Sequence, residues 1–133
     1  MRVCFVDTFY LIALLSPSEG HHEQANYLID EFDTDLVTTA WIITEASSSM
    51  SRPPFRRKWI NFYNELLTNK RFEVVPPSVD LYVEGMTLYQ DYHDKSWSLT
   101  DCISFVVMRD RGIAHALTAD RHFEQAGFTI EFK

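Results

Sequence analysis

Four acidic residues stand beside apolar runs, where an acid needs a reason. Asp7 closes "VCFV", Glu45 interrupts "WIITEAS", Asp101 opens "DCISFVVM" and Asp120 follows "AHALTA". Each has an ordinary structural use. Asp7 and Asp120 can cap helices, and Asp101 can complete a capping box with Ser98 three residues earlier. Glu45 lies inside a largely apolar helix, so it either reaches solvent or points into a polar site. The helix opened by Asp101 is apolar nearly all round and reads as buried. A carboxylate at its head needs a partner, and no candidate arginine for burial stands nearby in sequence.

If the four meet in one crevice they repel. A pair about 4 Å apart costs about 4 kcal/mol at an effective dielectric near 20. A divalent cation relieves that repulsion, and hard oxygen donors suit Mg²⁺ or Mn²⁺. Zinc is disfavoured, because His21, His22, His93, His115 and His122 show no ligand spacing. His21 and His22 would point about 100° apart on a helix. His122, two residues past Asp120, could border the site, but it reads first as a surface residue.

The rest of the chain must bring these acids together. Val3–Val6, "DLVTT" (35–39), "RFEVVP" (71–76), "AHALT" (114–118) and "FTIEF" (128–132) read as strands. Helices separate them. One follows Asp7 through Leu15, and the next, over Glu19–Phe32, sets Ala25, Leu28, Ile29 and Phe32 on one face. A helix capped by Thr39 ends before "SRPP". Phe55, Trp59, Phe62, Tyr63, Leu66 and Leu67 then repeat at helical spacing and read as core rather than as a base-stacking platform. Val79, Tyr82, Val83 and Met86 mark a further amphipathic helix, and "DRHFEQAG" a short one stopped by Gly127. Alternating strands and helices predict an α/β fold with a mainly parallel sheet. Ligands of such sheets bind beyond the carboxyl ends of the strands, which is where Asp7 and Asp120 fall.

Bulk properties narrow the classes. The 133 residues fit one domain, 1–133, with no repeats and no linker. Twelve basic against nineteen acidic residues give a net charge of −7, which argues against coating nucleic acid by bulk charge. A local cluster, Arg52, Arg56, Arg57 and Lys58, with Lys70 and Arg71 after the next helix, could still take an RNA backbone. The alternatives for it are a solvated helix face or a protein-binding surface. Cys4 and Cys102 read as small core residues in a reducing cytoplasm. The opening "MRVCFVDTFYLIALL" is broken by Asp7 and reads as a strand and helix, not a leader or membrane span.

The order Asp7 ("FVDT"), Glu45 ("TEAS"), Asp101 ("LTDC") and Asp120 ("LTAD") resembles the acidic quartet of PIN-domain nucleases. The likeness runs over essentially the whole chain. The string "SLTDCISFVVM…GI…ALTADRHFEQAGF" is similar to a bacterial and archaeal subgroup, many of which resemble VapC-type toxins of toxin–antitoxin pairs. The resemblance implies a three-layer α/β/α domain and a Mg²⁺- or Mn²⁺-dependent ribonuclease. It further implies a homodimer and an antitoxin partner. Asp7, Glu45, Asp101 and Asp120 would hold the metal, with Thr8 and Thr118 in support. Phe9 departs from the pattern, standing where the family commonly has Asn or Ser.

With no Ser–His–Asp set, GxSxG or phosphate-cradling glycine loop, water is the expected attacker. A cation would lower the pKa of that water, and Asp101 or Asp7 would orient it. The products would carry a 5′-phosphate and a 3′-hydroxyl, as the resemblance implies. Two other readings stand beside this one. The first is a catalytically silent nucleic-acid or protein binding module on the same fold. The second is an aspartyl-nucleophile phosphatase, which usually wants a second Asp where Phe9 stands.

Overall fold

Strand β1 (Arg2–Val6) buries Cys4, Phe5 and Val6 without alternation, as expected of a strand covered on both faces. It is the centre of a sheet with β2 (Thr34–Thr39), β3 (Phe72–Val75), β4 (His115–Leu117) and β5 (Thr129–Ile130). The order is β3-β2-β1-β4-β5, and every pair is parallel. The computed structural model describes residues 2–15 and 34–132. The helix expected over Glu19–Phe32 lies outside them, as do His21 and His22. The fifth strand is shorter than "FTIEF" suggests, although Glu131 and Phe132 still donate backbone bonds to Ala116 and Thr118.

Six helices are described: α1 (Thr8–Leu15), α2 (Ala40–Ser49), α3 (Phe55–Leu66), α4 (Val79–Asp91), α5 (Leu99–Arg111) and α6 (Arg121–Gln125). Helix α1 packs on α2 and α3, while α4 packs on α5, which also touches α6. Right-handed crossovers put the first three on one face of the sheet and the others on the opposite face. The result is the three-layer α/β/α architecture. Among the described residues, no helix is long and apolar enough to cross a membrane.

Helix α5 is the spine of its layer. Residues Asp101 to Met108 are buried without interruption. Ser98 and Asp101 close a capping box at its start, and Gly112 at φ 66° ends it in the left-handed region.

Helix α4 packs Leu81 and Leu88 on the core and half-buries Met86, as an amphipathic helix should, but the other three residues expected on its inward face need correction. Val79, Tyr82 and Val83 are exposed, and the helix packs instead through Gly85, its buried residue. A Cβ at Gly85 would collide with the Ile103 side chain and lie 3.3 Å from its Cα. The close approach of two backbones therefore outweighs the apolar stripe in choosing the inward face. Gly85→Ala should destabilise the chain by about 1–3 kcal/mol through overpacking, more than the ~1 kcal/mol that alanine gains in helix propensity. Urea denaturation measures this, and an unchanged midpoint would refute the contact. A smaller correction concerns α3. Trp59 is buried and Phe62, Tyr63 and Leu66 pack on the core, but Phe55 and Leu67 face solvent.

Candidate active site

The direction in which strands are added reverses at β1, with β2 and β3 on one side and β4 and β5 on the other. A crevice at the carboxyl edge is expected at that switch. Asp7 follows β1, Thr118 and Asp120 follow β4, and the start of α5 brings Asp101.

Asp7 is 6% exposed. Its Oδ2 accepts a 2.7 Å bond from the Thr118 hydroxyl, and Thr118 Oγ1 in turn accepts the Asp120 backbone N–H at 3.0 Å. One threonine thus ties the ends of two strands. Burial is the main force on the Asp7 carboxyl and pushes it up to about 7. The bonds from Thr118 and the Thr8 backbone oppose that push, while the charges of Asp101 and Asp120 add to it. A buried carboxylate crowded by two others is a group that a cation would relieve.

Asp101 and Asp120 both cap helices, as their positions suggest. Asp101 Oδ2 accepts the Ser98 N–H at 3.1 Å, and Asp120 Oδ1 accepts the His122 N–H at 2.9 Å. Capping does not exhaust them. Asp101, Asp120 and His122 offer ligand atoms all within 4.8 Å of one another. The fit to a divalent cation is good: the Asp101 and Asp120 carboxylates converge, with the His122 ring against both and the buried Asp7 carboxylate close enough to feel their charge.

His122 is the residue that reading the sequence as a surface histidine misses. Its Nδ1 lies 3.1 Å from Asp101 Oδ2 and 3.4 Å from Asp120 Oδ1. The signal was its place in the first turn of a helix capped by Asp120, which turns the ring back toward the cap.

Glu45 is exposed, in the second turn of α2. The Thr8 hydroxyl donates to its Oε1 at 2.6 Å, which links the first residue of α1 to α2. Glu45 therefore stands at the rim, outside the group of three. Phe9, in place of a polar residue, packs edge-on against Phe132 with centroids 5.1 Å apart. Cys102 is fully buried, and burial followed by the charge of Asp101 pushes its thiol up to about 11, so it stays protonated at neutral pH. Arg52, Arg56, Arg57 and Lys58 are all exposed around the start of α3, and Arg56 Nε donates to the Ser51 carbonyl at 2.7 Å. Arg71 is turned to Asp35 at 2.9 Å.

Residues 4–129 match the PIN domain family. The chain is 28% identical over 125 residues to the 23S rRNA-specific endonuclease VapC20 of Mycobacterium tuberculosis, a match covering 93% of this chain and 94% of that one. The crystal structure of Mycobacterium tuberculosis VapC20, described as a Sarcin-Ricin loop cleaving toxin, superposes with a TM-score of 0.85 at 24% identity, over 96% and 97% of the two chains. VapBC2 from Rickettsia felis, bound to a DNA fragment from its promoter, gives a TM-score of 0.70 at 10% identity, over 98% of each chain.

Proposed function

The chain belongs to the PIN-domain family, and from that premise we propose that it is a divalent-metal-dependent endoribonuclease, the toxin of a toxin–antitoxin pair. The observation that carries this reading is the convergence of Asp101, Asp120 and His122 within 4.8 Å at the carboxyl edge, with Asp7 buried beside them. The curated relative that cleaves 23S rRNA spans nearly the same length and supports RNA as the substrate.

In this reading Asp7, Asp101 and Asp120 hold Mg²⁺ or Mn²⁺, and Glu45 closes the rim directly or through water. The cation, when bound, stabilises charge on the phosphoryl oxygens and makes water more acidic. Thr118 fixes one oxygen of Asp7, leaving the carboxylate a single orientation. Thr8 does the same for Glu45. Asp7 or Asp101 orients the water that attacks phosphorus, and the P–O3′ bond breaks. One product keeps a 5′-phosphate and the other a 3′-hydroxyl. Arg52, Arg56, Arg57 and Lys58 contact the phosphate backbone away from the cut.

His122 acts as a positioning residue. Its ring N–H sits between Asp101 and Asp120, holding two carboxylates that would otherwise repel. His122→Ala should weaken Mn²⁺ binding by about 10- to 100-fold in calorimetry while the fold is kept. His122→Asn, whose amide can reach the same acceptors, should restore part of it. Equal affinity in all three proteins would remove His122 from the site.

The protein is further proposed to work in the cytoplasm as a homodimer of single nuclease domains spanning 1–133, held by an antitoxin until released. The exposed row Val79, Tyr82 and Val83 on α4 supports a self-association face. Incubation of the purified chain with total RNA and with 23S rRNA, followed by end mapping, tests the activity. Fragments with 5′-phosphates are expected. Folded protein that binds metal and cuts no RNA would favour the silent binding module instead.

A further inference from the structure

A second concave surface lies at the entry to α5, the helix that carries Asp101, and has no part in the chemistry above. The last turn of α4 and the loop to α5 enclose a cavity of about 460 Å³, lined by Tyr89, Gln90, Tyr92, His93, Lys95 and Trp97. Its size falls within the range of small-ligand sites. Its location is set by the chain: Trp97 precedes the Ser98 cap, and Asp101 lies three residues beyond that cap, about 4.5 Å along the axis.

The wall carries three large aromatic side chains, Tyr89, Tyr92 and Trp97. Tyr89 and Tyr92 are each 46% exposed. Tyr92 is not loose, because its ring lies 5.0 Å from that of Trp97, tilted by 35°. Trp97 is itself held. It stands edge-on to Phe105 at 5.1 Å, and its Nε1 donates to Gln125 Oε1 at 2.9 Å. The platform is thus backed by the core and pre-organised, which lowers the entropy lost on binding. Gln90 and His93 add donors and acceptors at the rim. Lys95 leans on Asp94 at 3.4 Å, an exposed pair that a phosphate can displace.

A larger cavity, about 650 Å³, is less suited to such a ligand. It lies at the amino edge of the sheet, away from the carboxylates, and its Arg71 and Arg111 are engaged by Asp35 and Glu73.

We infer that the cavity between α4 and α5 is a stacking subsite for one unpaired RNA base, which lies on Tyr92 and Tyr89 while Lys95 takes a neighbouring phosphate and the scissile bond reaches the carboxylates. Aromatic faces accept any base, and Gln90 and His93 read its edge. The subsite favours substrates whose bases are splayed out near the cut, such as loops and bulges, over continuous duplex. This inference rests on the ribonuclease reading.

The test uses an Asp7→Asn background, so that RNA is bound and not consumed. The probes are short single-stranded RNAs carrying 2-aminopurine at successive positions. One position should be strongly quenched, which reports stacking in the parent protein without any change to the cavity. Tyr89→Leu with Tyr92→Leu should abolish that quenching and weaken binding on the order of ten- to a hundredfold. The Tyr→Phe pair should behave like the parent, and Thr87→Ala, on the same helix outside the cavity, should have no effect. Thermal melts confirm that each variant is folded. RNA bound without quenching at any position, or bound equally by the Leu pair, would overturn the subsite and leave the nuclease standing. A parent that binds no RNA would overturn the subsite, and wild-type protein that cuts no RNA in the presence of Mn²⁺ would overturn both.

Discussion

Asp7→Asn is expected to raise the stability of the metal-free protein at neutral pH while abolishing RNA cleavage. The carboxyl rises from its ordinary 3.8 to about 7 in the folded chain, chiefly by burial. A folded-state pKa above the unfolded one means that the folded chain binds the proton more tightly. Below about pH 4 both states hold it, and the shift contributes nothing. Between about pH 4 and 7 the unfolded chain releases the proton first, so stability falls as pH rises, and above about 7 the full penalty applies. Three units at 1.36 kcal/mol each set a ceiling of about 4 kcal/mol. Asparagine keeps the shape and removes the charge but gives up one accepting position toward Thr118 or Thr8. A gain of about 1–3 kcal/mol at pH 8, vanishing near pH 4.5, is therefore expected in urea titrations. Mn²⁺ should stabilise the wild type and not the variant. A metal-free wild type whose stability does not fall between pH 4.5 and 8 would remove the basis for this.

Asp101→Asn should also lose the chemistry, but with stability left unchanged rather than raised. The Asn side-chain oxygen can still accept the Ser98 N–H that Asp101 accepts at 3.1 Å. The helix start is then preserved to within about 1 kcal/mol. The negative charge toward Asp120 and the cation is gone. Cleavage should fall by at least about a hundredfold, beyond the loss expected for an outer partner of a metal ligand. Asp101→Ala should lose the same activity and about 1 kcal/mol of stability besides, because the capping box opens. If Asp101 were only a cap, the Asn variant would cleave normally and the Ala variant would fail only by unfolding. Parallel melting curves and initial rates separate the two roles.

The order of strands and helices is legible in the sequence because its strongest signals are local. The apolar run after Asp101 reads as a buried helix and "VCFV" as a strand covered on both faces, and both form as read. Strand ends then carry Asp7 and Asp120 to one edge by the logic of parallel sheets. The misses have a common cause, which is that they depend on contacts between distant elements. Val79, Tyr82 and Val83 look like a core stripe, but Gly85 meets Ile103, so the stripe turns outward. His122 looks like a surface residue, but the Asp120 cap and the arrival of α5 give its ring two carboxylates. Glu45 is legible as an anomaly within an apolar helix, whereas its position at the rim follows from Thr8, on a different helix.

The most direct test is the rate of RNA cleavage as a function of free Mn²⁺, starting from protein stripped with EDTA. No cleavage in EDTA and a saturable rise on adding Mn²⁺ are expected, with Asp101→Asn and Asp120→Asn flat at the baseline. Full cleavage in EDTA, or cleavage unaffected by both substitutions, would mean that the carboxylates at the carboxyl edge cap their helices and nothing more.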